Sequence, residues 1–246
     1  MSASNATHFP VVLIEERSAM HFSHARKGVN KIIIAQVFAI LATVLASGVG
    51  LILPVAERLT DNKDVLNTLL FMISVAMSGI TATIVLVLMA VFSFFGYGQA
   101  AKDEAAFKKS MICALVGSTL TISGFFVQIP NDLLSTLLTS AGTVVEMFML
   151  VYAVSGVMNL AVHCGQRSVT DGGRFMLRLL VVTYLITSVN TLIIRIFELS
   201  EHAWIVSIVI GAINSVLELL RYAFYLRYLR QCAAMLAAYD GEAEDE

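Results

Sequence analysis

The sequence predicts an all-α, polytopic membrane protein whose six transmembrane helices form three tandem helical-hairpin repeats. Three observations lead there. Of 246 residues, 58% are hydrophobic and 14% charged, with a mean hydropathy of +0.81, far from the balance of a soluble domain. Six apolar runs are each long enough to cross a bilayer, which takes about 20 residues at a rise of about 1.5 Å each. Small residues recur at four-residue spacing in matching register along the even-numbered runs.

The runs fall at about 31–53, 65–95, 108–129, 133–162, 176–198 and 204–229. A polar arm, 1–30, precedes the first. The hairpins divide 31–239 at about 31–101, 102–169 and 170–239, and Asp240 to Glu246 is read as an acidic, disordered tail. An even number of spans puts both termini on one side. The first span begins after Arg26, Lys27 and Lys31. Lys102, Lys108, Lys109, Arg167, Arg174 and Arg178 lie in or beside the linkers after spans two and four, and Arg221, Arg227 and Arg230 end the sixth. The other linkers hold few cations. By the positive-inside rule the cation-rich face, with both termini, is expected to be cytoplasmic, and the plasma (inner) membrane is the expected location. Trp204 at one end of span six and Tyr222, Tyr225 and Tyr228 at the other suit interfacial belts.

Two polar corners join the hairpins. Gly96 to Lys109 separates spans two and three, and Thr170 to Arg178 separates four and five. Each holds an aspartate, then a phenylalanine four residues on, then basic charge. Asp103 and Asp171 are expected to accept from the free N–H groups that open the following helix.

The small-residue stripes are Ser74, Ser78 and Ala82; Ser135, Thr139 and Thr143; and Ser207, Gly211 and Ser215. Such spacing lines one helix face and lets backbones approach closely, which is how helices associate in lipid. Three residues beyond each stripe stand Val85, Glu146 and Glu218. Odd spans carry similar stripes, at Ala35, Ala39, Thr43 and Ser47 and at Ser110, Ala114 and Ser118. The hairpins are therefore expected to surround a pseudo-threefold axis.

Gly98-Gln99-Ala100-Ala101-Lys102-Asp103-Glu104-Ala105-Ala106-Phe107-Lys108 resembles the turn of a diffuse set of uncharacterised multi-pass bacterial membrane proteins, in which a hairpin ends in a glycine, a KDE-like turn and a phenylalanine. The resemblance covers that corner and its flanking spans, about a third of the chain. It implies membrane topology and supplies no catalytic or binding residue. The second corner departs from the pattern, with Gly172 in place of the glutamate and no lysine pair.

Glu146 and Glu218 are the candidate ion- or substrate-binding residues, with Asn190 as a polar neighbour. An intramembrane carboxylate costs about 2.5–3.5 kcal/mol on insertion scales and needs a partner, water or a proton. Two at one level could hold a cation or share a proton. Against this stands a packing role, in which Arg221, three residues beyond Glu218, pairs with it and Asn190 hydrogen-bonds Glu146. Arg195 is a second charge partner, paired locally with Glu198 or placed at an outer vestibule. Gln36 and Asn190 are amides suited to joining helices.

Other chemistries find no support. A net charge of -2 offers no basic field for nucleic acid. Cys113, Cys164 and Cys232 form no CxxC pair and read as free thiols. No metal cluster, cofactor motif or phosphate-cradling loop is present, and His163 beside Cys164 is not a dyad, because helix neighbours point about 100° apart. No catalytic constellation can be assembled, so an enzyme is not expected. Two functions stand: a transporter or channel for a small solute, cation or proton, using the intramembrane carboxylates; or a non-catalytic scaffold or regulatory subunit whose small-residue faces bind a partner helix or a second copy. The bilayer is the one partner common to both.

Overall fold

The computed structural model describes residues 22–59, 65–127, 132–197 and 203–244, with side chains chiefly over 22–45, 83–124, 134–190 and 205–240. Within them the chain is all helix: α1 (Ser23–Leu59), α2 (Val65–Ala100), α3 (Ala105–Val127), α4 (Asp132–His163), α5 (Arg167–Phe197) and α6 (Ala203–Glu244). All six are long and apolar enough to span a membrane. With 36 residues in α2 and 42 in α6, these two reach about 54 and 63 Å, well beyond a hydrocarbon layer about 30 Å thick.

Each helix packs on its neighbour in sequence, and α6 returns to pack on α1, so the six close into a ring. Glycines bring neighbouring helices close at two of the seams. A Cβ on Gly28 of α1 would stand 2.6 Å from the Gly96 carbonyl oxygen of α2. On the α3–α4 seam, a Cβ on Gly142 would stand 2.6 Å from the Thr121 hydroxyl, and one on Gly124 would meet the Ser135 carbonyl at 3.2 Å. Away from these seams the ring presents Leu, Ile, Val and Phe outward, as a lipid-facing surface must.

The buried core is concentrated at the end of the ring that carries α1's start, α6's end and the α2–α3 and α4–α5 turns. Phe22, Ala25, Val29, Ile32, Tyr97, Ala100, Phe107, Leu160, Met176, Leu229 and Leu236 all belong to it. Phe22 lies against both His163 and Tyr239, and Arg26 pairs with Asp240 at 3.8 Å. Both ends of the described chain therefore share one face of the bundle.

Several expectations are corrected here. Asp103 does not cap the helix that follows it: its carboxylate accepts from the Ala25 N–H at 2.6 Å and so caps α1, 78 positions away. Glu104 takes the local role, accepting from the Ala106 N–H at 3.2 Å and from the Asn159 amide at 3.0 Å. The second corner is not a corner. The chain turns earlier, where Gly165 has φ +70° and the Gln166 and Gly165 N–H groups donate to the Ala161 and Val162 carbonyls. That is a glycine-terminated helix end, which needs the left-handed backbone glycine adopts freely. Thr170 to Arg178 is already inside α5, where Asp171 pairs with Arg174 at 3.2 Å. The polar arm is helical from Ser23, and the acidic tail continues α6 to Glu244, with Asp240 buried. Residues 1–21 lie outside the described residues.

The stripes are corrected in part. On α4, Ser135 is buried against α3, but Thr139 and Thr143 are exposed and their hydroxyls turn back to the Ser135 and Thr139 carbonyls. The α3-facing positions are instead Ser135, Leu138, Gly142 and Val145, because a helix turning 100° per residue drifts off a strict four-residue repeat. Ser207 is exposed, and a Cβ on Gly211 would meet nothing within 4 Å. Ser215 does join helices, accepting a 2.8 Å hydrogen bond from Ser47 of α1. The side chains of Ser74, Ser78, Ala82, Arg195 and Trp204 lie outside the described residues.

These contacts separate two kinds of glycine. Gly28→Leu and Gly96→Leu should each lower the detergent melting temperature markedly, consistent with overpacking costs of about 1–3 kcal/mol or more. Gly211→Ala should leave it unchanged or raise it slightly. Equal effects at the three positions would sink the assigned α1–α2 contact.

Candidate functional site

The polar interior is assembled from α4, α5 and α6. Arg221 of α6 is buried, at 6% exposure, and reaches across the ring to Glu146 of α4, with an Nη2 to Oε1 distance of 4.0 Å. Its guanidinium lies over two rings, Tyr184 of α5 at 4.8 Å and Tyr222 at 4.7 Å. Arginine is suited to this, since its planar, weakly hydrated cation stacks on aromatic faces. Glu218, one turn earlier on α6 and half-buried, is within electrostatic reach of both Arg221 and Glu146. Arg221 thus pairs with Glu146 and has Glu218 one turn away on its own helix.

The pair is not closed on itself. Glu146 keeps 43% of its side-chain surface exposed, and Arg221 Nε has no hydrogen-bond partner among the described residues. A gap of 4.0 Å is an ion pair without a direct hydrogen bond.

The structure therefore brings Glu146, Glu218 and Arg221 together and leaves Asn190 out. The Asn190 amide donates instead to Asn214 Oδ1 at 2.6 Å, joining α5 to α6. Arg221 pairs with Glu146 rather than with Glu218, its neighbour in sequence, because α6 directs it across the bundle toward α4. Val85, expected at the third place of a common level, is buried on α2. Gln36 is buried on α1 with its carbonyl oxygen unpartnered.

A line of hydroxyls that composition placed at the membrane surface belongs to this interior. Tyr225 and Tyr228 are 1% and 4% exposed, which corrects the interfacial belt. Among the described residues the hydroxyls of Tyr97, Tyr184, Tyr225 and Tyr228 have no hydrogen-bond partner. Cys232 is buried further along the same helix, and Cys164 lies at the α4–α5 turn, partly buried against the same core. Burial, with the nearby Asp240 carboxylate second, pushes the Cys164 thiol up to about 11, so it is protonated at neutral pH. The signal for this line was present in the chain: positions 218, 221, 225, 228 and 232 follow the three- and four-residue steps of one helix face.

Among the described residues no group of three or more His, Cys, Asp or Glu side chains is placed to hold a metal ion, and the cysteines are free. Comparison with protein families, curated proteins and solved structures finds no match to this chain. Roles for the site thus rest on its own geometry.

A double-mutant cycle measures the cross-bundle pair. Arg221→Met leaves Glu146 and Glu218 without their cation, and Glu146→Leu leaves Arg221 with Glu218 alone, so each should lower the melting temperature in detergent and the double variant should lose less than the sum of the two. Additive melting shifts in detergent would show that the two side chains do not interact.

Proposed function

We propose that this six-helix membrane protein conducts or transports protons or small cations, with Glu146 and Glu218 as the acceptor carboxylates and Arg221 as their fixed counter-charge. The observation that carries this reading is the two-to-one balance of charge inside the bundle. With Arg221 always protonated, one negative charge is left over, and in a low-dielectric interior it is neutralised by a proton or a cation. The exposed flank of Glu146 gives access to it. Four buried tyrosine hydroxyls without hydrogen-bond partners among the described residues continue the polar groups from Arg221 toward the face that holds both ends of the described chain. That face, rich in Lys and Arg, is the cytoplasmic one in this reading, and the membrane is the plasma membrane.

Purified protein in liposomes carrying a pH-sensitive dye, with parallel assays for monovalent cations, tests the proposal. Wild type should pass one of these ions, and Glu146→Gln and Glu218→Gln should reduce the flux to background without altering the elution of the protein as a single species. Absence of flux from wild type across the ion panel overturns it.

One observation favours a second reading, that of a non-catalytic scaffold. Thr139 and Thr143 form an exposed small-residue face on α4 among the described residues, and such faces accept a helix from another chain. Thr139→Leu with Thr143→Leu should then dissociate a complex or homo-oligomer extracted in mild detergent. A wild-type protein that is monomeric and partnerless under those conditions does not fit this role.

A further inference from the structure

We propose that α6 carries a binding site for an anionic phospholipid at the membrane surface nearest the chain ends, with Arg227 and Arg230 as its headgroup ligands. Two recesses flank α6 at this level. One, of about 580 Å³, lies between α1 and α6 and is lined by Ile40, Ala223, Leu226, Ala234, Arg227, Arg230 and Gln231. The other, of about 230 Å³, lies between α5 and α6, and Phe175, Met176 and Phe224 supply its apolar wall. Arg227 and Gln231 line both. They form a polar ridge with an apolar hollow on each side.

Among the described residues no acidic side chain compensates the charge at this ridge. Arg227 and Arg230 are exposed, and neither makes an ion pair among the described residues. The nearby acids are engaged elsewhere: Asp171 pairs with Arg174, and Asp240 with Arg26. Since the outer surface of the ring faces lipid, the group that meets these two guanidiniums there is a headgroup phosphate, which arginine binds bidentately.

The depth agrees. Arg227 and Arg230 lie between the Arg221 interior and the Arg26–Asp240 pair that marks the end of the bundle. Ile40, Phe224 and Phe175 lie on the membrane side of the ridge, where Phe175 and Phe224 meet edge to face with centroids 6.1 Å apart. A headgroup on the ridge thus directs its acyl chains along the apolar walls. Basic recesses between transmembrane helices bind anionic headgroups by this arrangement. The site involves neither Glu146 nor Glu218, so it stands independently of ion movement.

Native mass spectrometry of the full chain, with equal concentrations of phosphatidylglycerol and phosphatidylcholine, tests the site. Wild type should bind phosphatidylglycerol in preference by roughly thirtyfold at low salt, the factor expected of two basic residues at a lipid surface. Arg227→Gln with Arg230→Gln should abolish that preference, Arg178→Gln should leave it intact, and Arg227→Lys with Arg230→Lys should retain part of it. Free glycerol phosphate should not compete, because it lacks the chains that occupy the recesses. If the double glutamine variant fails to fold, wild type alone decides, since the preference must collapse in 0.5 M salt, where the Debye length is roughly 4 Å. Equal binding of the two lipids by wild type, or a preference that survives the glutamine variant or high salt, overturns the assignment.

Discussion

A guanidinium held inside a membrane bundle has to be met by negative charge, and Arg221 meets that requirement by crossing the ring to Glu146. The pair links two helices that otherwise scarcely touch, with α5 between them contributing Tyr184 to the guanidinium face. Helices in lipid have no water-exclusion force drawing them together, so such a pair has unusual influence over how the ring closes. It is also where the bundle carries more negative than positive charge, and the placement of Glu218 and the tyrosine hydroxyls follows from the same constraint.

The rest of the hold comes from two sources of different character. Along the walls, glycines bring backbones close at the α1–α2 and α3–α4 seams, and single polar pairs, Ser47 with Ser215 and Asn190 with Asn214, tie α6 to α1 and to α5. At the end bearing the chain ends, a continuous core is reinforced by long-range capping, in which Asp103 satisfies the opening of α1. That contact ties the first helix to the turn between the second and third. It does so through an unpaired backbone N–H group, which every helix must satisfy at its start.

The same logic explains the division of labour along α6. Its inward face carries Glu218, Arg221, Tyr225, Tyr228 and Cys232 toward the ring interior, while Arg227 and Arg230 are exposed on its outer side. A helix of 42 residues is long enough to supply a buried polar line at membrane depth and a docked end that pairs Asp240 with Arg26.

Helix class, number of spans and the shared side of the chain ends were legible in the amino-acid order, because hydropathy over a run of about 20 residues is a local quantity that the bilayer itself reads. Glu146, Glu218 and Arg221 also stood out, since charge in an apolar run is conspicuous wherever it points. Which carboxylate Arg221 meets, which helix Asp103 caps, where the fourth helix ends and which tyrosines lie inside were decided only by the tertiary structure. Those outcomes depend on the rotation of each helix about its axis and on partners tens of residues away. Small-residue spacing is a poor guide to that rotation: Ser135 faces its neighbour while Thr139 and Thr143, in the same stripe, face outward. A turn of 100° per residue carries a four-residue repeat steadily around the helix, and only the packed neighbour determines where along that drift the contact falls.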